Sequence, residues 1–460
     1  MTGMRRSLAR FWLLGVLFLS PGCAETDLRF PPPSPLPFDE LKQKVSRLRE
    51  LPFLQEISVE ARSLEEIQAL LENSLWAGNK REDLEQRAEV YARLGLLPER
   101  TDLAKALLGL RLLHRPVLPD ARRGTIFLPK APPRSALTLL GLSSVAEETT
   151  KQLLTAYALS YILQEQHFDW EEKIRNGTTE DARLALRALR EGDAALVALA
   201  HLTGDSKENR QKVGDALQGL SRLPARLDKE LSEFPELLRR KVAFQYLQGS
   251  KFVAWAYTLK GWEGVNSLFR HPPVSTEQLL HPEKYYVKRD QPVRVVPWAL
   301  IRRFEGKKVL DETLGEFFIQ TLLSRALSEG EARQAAAGWA GDTLLAFRPG
   351  RELFLSWVTA WDNPEEAGEF HAGFVKALER RHGVSLRPPP GRGDLLTAAL
   401  PGGRSLLLQL REQFVFFLDG ISPPFSLNLA EELWSDLETG AEAEPPELTR
   451  RNRHSSPPRR

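Results

Sequence analysis

The chain has 460 residues, 42% hydrophobic and 27% charged, the proportions of a soluble globular protein too long for a single core of ordinary size. Its 63 basic and 61 acidic residues leave a formal charge of +2, which gives no general attraction to nucleic acid, so no nucleic-acid partner is expected. A single cysteine excludes disulfides within the monomer.

Residues 1–22 differ from the rest. "MTGMRRSLAR" carries Arg5, Arg6 and Arg10, and "FWLLGVLFLS" adds a ten-residue apolar run before "PGC". A basic start with a run this short reads as a secretory signal, so export is expected. Cys23 sits directly behind it. "LSPGC" resembles the lipobox of bacterial lipoproteins, although Ser20 and Pro21 depart from its commonest form. The resemblance implies cleavage before Cys23, lipidation of Cys23 and a membrane partner held through the acyl chains. An ordinary signal with a chance cysteine is the other reading. Ala24, where an aspartate retains many such proteins at the inner membrane, points to the outer membrane of a bacterial cell envelope.

Residues 23–40 include "FPPPSPLPFDE", with five prolines, and read as a stiff tether. Ser63 and Glu66 form a capping box at the head of "SLEEIQALLENSLWAG", where Ile67, Leu70, Leu71 and Leu75 recur at helical spacing. "EDLEQRAEVYARLGLL" and "TDLAKALLGLRLLH" predict two more helices, and "GTIFLPK", Gly124 to Lys130, a strand. A second capping box, Ser144 with Glu147, opens a helix to about Gln166, and a partner helix follows from Thr179. "FPELLRRKVAFQYLQGSKFVAWAYTLKGWEGVNSLF" predicts two further helices. Past "HPEKYYVKRDQPVRVVP" the pattern changes. "DTLLAFRPGRELFLSWVTAW" and "RSLLLQLREQFVFFLDG" read as hairpins, and "NPEEAGEFHAGFVKALERRH" as a helix capped by Asp362 or Asn363 with Pro364 at its first position. The expected class is α+β: a mainly helical domain with a small sheet over 41–288, a smaller α+β domain over 289–435, and a disordered tail over 436–460.

The stretch that bears on chemistry is "TAYALSYILQEQHFDW", Thr155 to Trp170. In a zinc-protease helix, H-E-x-x-H puts two histidines on one face at i and i+4, with the glutamate as general base. Here none of the eight histidines has a partner at i+3 or i+4. P-loops, Gly-rich dinucleotide fingerprints and G-x-S-x-G elbows are absent as well.

"YALSYILQEQHFD" resembles the "HELTHALQDQHFD" segment of a family of bacterial envelope lipoproteins predicted to be zincin metallopeptidases. "LALRALREGDAALV" is similar to that family's next helix, with its "EGDA" motif. "GSKFVAWAYTLKGWEGVNSLFRHPPVSTEQLLHPEKY", "LGEFFIQTLL", "ARQAAAGWAGDTLLAF" and "WVTAWDNPEEAGEF" resemble its later blocks, so the resemblance spans roughly residues 40–420. It implies a zincin-like N-terminal domain. It also puts the two ligand histidines on Tyr157 and Tyr161, the general base on Ala158 and the third ligand on Glu191. A phenol with a pKa near 10 is a poor ligand, and alanine takes no proton, a loss that alone costs about 10²- to 10⁴-fold in rate. These four are therefore expected to be vestigial positions, with no catalytic residue and no cofactor.

Two readings stay open for their neighbours. His167, ten residues after Tyr157, could join Asp169, Glu191 and Asp193 in an oxygen-rich zinc site, or simply hold a helix end by a hydrogen bond. Glu191 is either a remnant bonded to the phenol of Tyr157 or Tyr161, or a plain exposed glutamate. Asn266, His281 and Tyr285 form a polar constellation that packing explains as readily. The resulting expectation is a membrane-anchored envelope lipoprotein, a metallopeptidase-like pseudoenzyme that binds a peptide or envelope protein by adding a strand to an edge such as "GTIFLPK". The alternatives are an active metal-dependent hydrolase using zinc on His167, Glu191 and Asp193, and a purely structural envelope protein.

Overall fold

A computed structural model describes residues 36–114, 117–131, 146–203, 223–420 and 423–441. The signal, Cys23, most of the tether, Ser144 and the residues after 441 lie outside that set. Helix α1 (Phe38–Arg49) takes the last three residues assigned to the tether. Helix α2 (Leu64–Gly78) starts at the capping box: Glu66 N donates to Ser63 Oγ at 3.2 Å, and Ser63 N to the Glu66 carboxylate at 2.7 Å. Helices α3 (Arg81–Leu94) and α4 (Leu103–His114) follow. Helix α5 (Glu147–Phe168) has Ala146 at its N-cap, and α6 (Glu180–Thr203) is preceded by Thr179, whose hydroxyl accepts from Ala182 N at 3.0 Å. The two helices expected after it form one element, α7 (Glu236–Arg270), interrupted at Gly261. There φ is 60° and ψ −149°, a conformation that needs glycine.

Strands β1 (Ser58–Arg62), β2 (Leu118–Asp120) and β3 (Thr125–Pro129) make a sheet of order β1-β3-β2, with β1 parallel to β3. The "GTIFLPK" strand is thus the centre of this sheet, not the expected edge. The reason is burial: Thr125, Ile126, Phe127 and Pro129 are all buried, so this strand takes the position that neighbours cover on both sides. Strand addition at β3 is closed.

The C-terminal part is built on a six-stranded antiparallel sheet of order β5-β6-β7-β10-β9-β8. Its strands are β5 (Lys308–Glu312), β6 (Trp339–Phe347), β7 (Phe354–Trp361), β8 (Leu395–Leu400), β9 (Arg404–Arg411) and β10 (Phe414–Asp419), and both expected hairpins are present. A separate pair joins β4 (Val293–Pro297) to β11 (Leu437–Ala441). Ordered chain therefore reaches Ala441, past the expected start of the tail at 436, because the β4 ladder holds the last strand. Alternate residues of the large sheet enter two cores. Leu355, Trp357 and Trp361 of β7 meet Phe370 and Phe374 of α9 (Pro364–His382), beside α8 (Gly315–Leu323). On the other face Phe354 and Val358 join Leu429 and Leu433 of α10 (Pro423–Ser435). Asn363 caps α9, its side chain accepting from Glu365 N and Glu366 N, with Pro364 first.

The expected boundary at 288/289 is no gap in packing, since one apolar cluster runs from Leu41 of α1 to Phe417 of β10. Buried charge crosses it too. Glu312 meets Arg87 at 2.6 Å and Arg183 at 3.2 Å across it, while Glu180, beside them on the helical side, pairs with Lys241. Burial raises the Glu180 carboxyl, but Lys241, Arg187, Arg183 and Arg87 outweigh it and hold it well below the usual range.

Candidate functional site

Helices α6 and α7 meet backbone to backbone. A Cβ on Gly192 would lie 2.2 Å from Gly249 O, and one on Gly249 1.9 Å from Ala188 O. The glycine of "EGDA" is thus a packing requirement, and the crossing sets the two acidic residues beside it against α5. On α5, Tyr157 and Tyr161 lie one turn apart on one face. Tyr161 Oη donates to Glu191 Oε1 at 2.5 Å, and Tyr157 Oη donates to the other oxygen, Oε2. The two phenol oxygens are 3.3 Å apart. Tyr246 of α7 adds a third phenol 3.5 Å from that of Tyr157 and donates to His114 O at 3.1 Å. Glu191 is 1% exposed, Tyr161 is buried, Tyr157 half-buried, and Ala158 buries its methyl in the core. Of the two readings of Glu191, the bonded one is the observed geometry.

Asp193, two residues on, has a separate set of partners. Its Oδ2 accepts from Ser160 Oγ at 2.9 Å and Gln164 Nε2 at 2.7 Å, and its Oδ1 faces Arg49 Nε at 2.9 Å with both side chains fully buried. Arg49 also donates to Asn266 Oδ1 at 2.5 Å and lies over the rings of Trp262 and Phe269, on the segment of α7 after the Gly261 break. Burial lowers the pKa of the guanidinium and Asp193 pulls it back up. Sequence reasoning missed this pair, because nothing near Arg49 points to α6.

The alternative zinc ligands do not assemble. His167 Nε2 is 2.7 Å from Pro52 O and ties the end of α5 to the segment ahead of β1. Asp169 is exposed and caps α5 in a left-handed conformation. His167, Glu191 and Asp193 form no group with ligand atoms within 4.8 Å of one another among the described residues. The chemistry of the donors disagrees with zinc as well. Both oxygens of Glu191 receive phenol hydrogens, and Asp193 is engaged by a guanidinium, a hydroxyl and an amide, whereas a zinc ligand needs a deprotonated atom with an open lone pair.

The described group that does have metal-like spacing is Glu277, Asp290 and Asp362. Its centre is taken by Lys284, whose Nζ lies 2.6, 3.3 and 2.7 Å from them, so an ammonium stands where a cation would. The Asn266, His281 and Tyr285 constellation is dispersed: Asn266 serves Arg49, His281 Nε2 is 2.9 Å from Glu316 Oε1, and Tyr285 Oη donates to His271 O.

The later strings of the resemblance have structural roles at the junction of the two parts. Asp342 of "AAAGWAGD" accepts from Leu314 N and Gly315 N, at 2.9 and 2.8 Å, and from the indoles of Trp339 and Trp357, at 3.0 and 3.1 Å. It thereby anchors the start of α8. Thr276 of "STEQLLHPEKY" donates its N–H and hydroxyl to Asp181 on α6.

The family described as "Domain of unknown function (DUF8575)" matches residues 302–404, which carry β5 through β8 together with α8 and α9. No curated protein and no solved structure matches the chain. Among the described residues no helix is long and apolar enough to cross a membrane.

Proposed function

We propose that this chain is a non-catalytic relative of zincin metallopeptidases, exported, anchored to the cell envelope by lipid on Cys23, and acting by binding. One observation carries the reading: the glutamate in the third-ligand position gives both carboxylate oxygens to tyrosines in the two histidine positions. Three buried or half-buried polar groups satisfy one another there, so the helix pair is stable without an ion. Ala158 leaves no group at the general-base position to activate water. Binding then falls to surfaces other than β3.

The test is zinc analysis of the full chain after dialysis against trace zinc. The wild type is expected to carry no stoichiometric zinc, and the Tyr157→His/Tyr161→His double variant about one per chain, with Glu191 as third ligand. Stoichiometric zinc in the wild type that Glu191→Ala abolishes would overturn the reading in favour of the metal-dependent hydrolase. A folded double variant without zinc would sink the zincin-like geometry itself.

A further inference from the structure

A large cleft lies elsewhere, between the helical part and the six-stranded sheet, with a volume of about 840 Å³. That is the size of a small-molecule site. Arginines from four separate elements reach it: Arg93 of α3, Arg325 just after α8, Arg381 near the end of α9, and Arg404 at the head of β9. A second cavity of about 320 Å³ shares Arg325 and Arg381, adds Arg380, and is otherwise lined by apolar residues such as Leu322, Phe374 and Leu378.

Several features hold the cluster in place. Gly95 ends α3 with φ 92°, and a Cβ there would fall 2.4 Å from Arg381 Nη1, so the absent side chain makes room for the guanidinium. Arg381 Nη2 donates to Ala92 O at 2.7 Å in the last turn of α3, where cations are favoured. Arg93 and Arg404 share the buried carboxylate of Asp419, with shortest approaches of 3.1 and 2.6 Å. With Arg81 and Arg100 the cleft is lined by six arginines, against Glu85, Glu89, Glu99 and Asp102, and Asp419 is shared by Arg93 and Arg404, so six guanidiniums meet five carboxylates and one positive charge is left over. His382, beside them, is held down at about 4 by burial and by the fields of Arg381 and Arg404, and so adds a neutral imidazole. Arg325 is exposed, and its guanidinium makes no hydrogen bond or ion pair to a described residue.

We propose that this cleft binds a small, multiply charged oxyanion ligand, with the guanidiniums of Arg325, Arg381 and Arg404 receiving its phosphoryl or carboxyl oxygens. Planar guanidiniums match both groups through paired N–H donors, and a partly enclosed cleft strengthens those bonds relative to open water. The proposal is independent of the reading of Glu191 and its tyrosines.

Calorimetric titration of the full chain in detergent tests it, with pyrophosphate and citrate as probes. Saturable one-site binding of at least one probe is expected, and the preferred probe tells phosphoryl from carboxyl recognition. Arg325→Glu should weaken that binding at least about tenfold with the thermal midpoint unchanged, since this exposed guanidinium holds no hydrogen bond or ion pair to a described residue. Lys251→Glu, an equal change of charge at an exposed position outside the cleft, should weaken it less than about twofold. No saturable binding of either probe, or equal losses in the two variants, would overturn the proposal.

Discussion

The α5–α6 contact and the cleft between α3 and α9 both gather charge, yet they treat it oppositely. At the first, Glu191 and Asp193 are out of water and every carboxylate oxygen has a donor or a guanidinium in place. At the second, arginines outnumber the carboxylates near them and face an open volume. A polar group saturated inside a core contributes order and leaves nothing to offer a ligand; surplus charge at a cleft has the reverse character. The positions that the motif resemblance points to and the cleft proposed to bind an anion thus lie in different places in this molecule.

Removing one partner from the saturated site should show the largest effect. Arg49→Ala leaves Asp193 buried without its cation and is expected to cost about 3–5 kcal/mol, read as a drop in the denaturant midpoint. Arg49→Met with Asp193→Leu should cost clearly less than Arg49→Ala alone, because the uncompensated charge is gone. Equal losses would mean that the pair matters through packing rather than charge.

A second comparison uses one substitution at two glycines. Gly192→Ala drives a methyl into the backbone of Gly249 and should destabilise by about 1–3 kcal/mol. Gly368→Ala on α9 meets nothing within 4 Å and should be neutral or stabilising by up to about 1 kcal/mol. Thermal denaturation of both variants decides whether α6 and α7 touch as described. Of similar size is Tyr161→Phe, which takes one donor from Glu191 while Tyr157 keeps the other, an expected loss of about 1–3 kcal/mol. If Tyr161→Phe is silent, the carboxylate is not saturated and the contrast with the cleft weakens.

What could be read from the sequence was local. The Ser63 capping box and the Asn363-Pro364 start of α9 are written in adjacent residues, and both hairpins announce themselves as two apolar runs broken by a short polar turn. Tyr157 and Tyr161 could be placed on one face because helix geometry fixes positions four apart, and the motif resemblance then supplied Glu191 as their partner. The centre of the small sheet could not be read, since it depends on β1 and β2, segments with little strand signal of their own. Arg49 with Asp193, and the arginines of the cleft, are joined only by tertiary packing, which no spacing rule reaches.

The last expected effect concerns pH and again sets the closed interior against the open cleft. His201 on α6 is 1% exposed, its Nε2 lies 3.4 Å from Gln152 Oε1, and its pKa is lowered to about 4 by burial, with Lys44 adding to the shift. Unfolded, the same imidazole titrates near 6.5. Below that pH the unfolded chain takes up a proton that the folded one refuses, so the contribution of His201 to stability is complete above about 6.5 and is lost as pH falls towards 4. His382 in the cleft is also held at about 4 and gives the same sign, so His201→Gln should flatten the fall of the thermal midpoint between pH 6.5 and 4 only in part. The two histidines separate on adding pyrophosphate. An anion among the arginines offsets the field that keeps His382 neutral and raises its pKa, so the slope remaining in His201→Gln should shrink when the cleft is filled, while the share due to His201, sealed inside the helices, stays as it was. An unchanged remaining slope with bound pyrophosphate would place His382 outside the reach of the ligand.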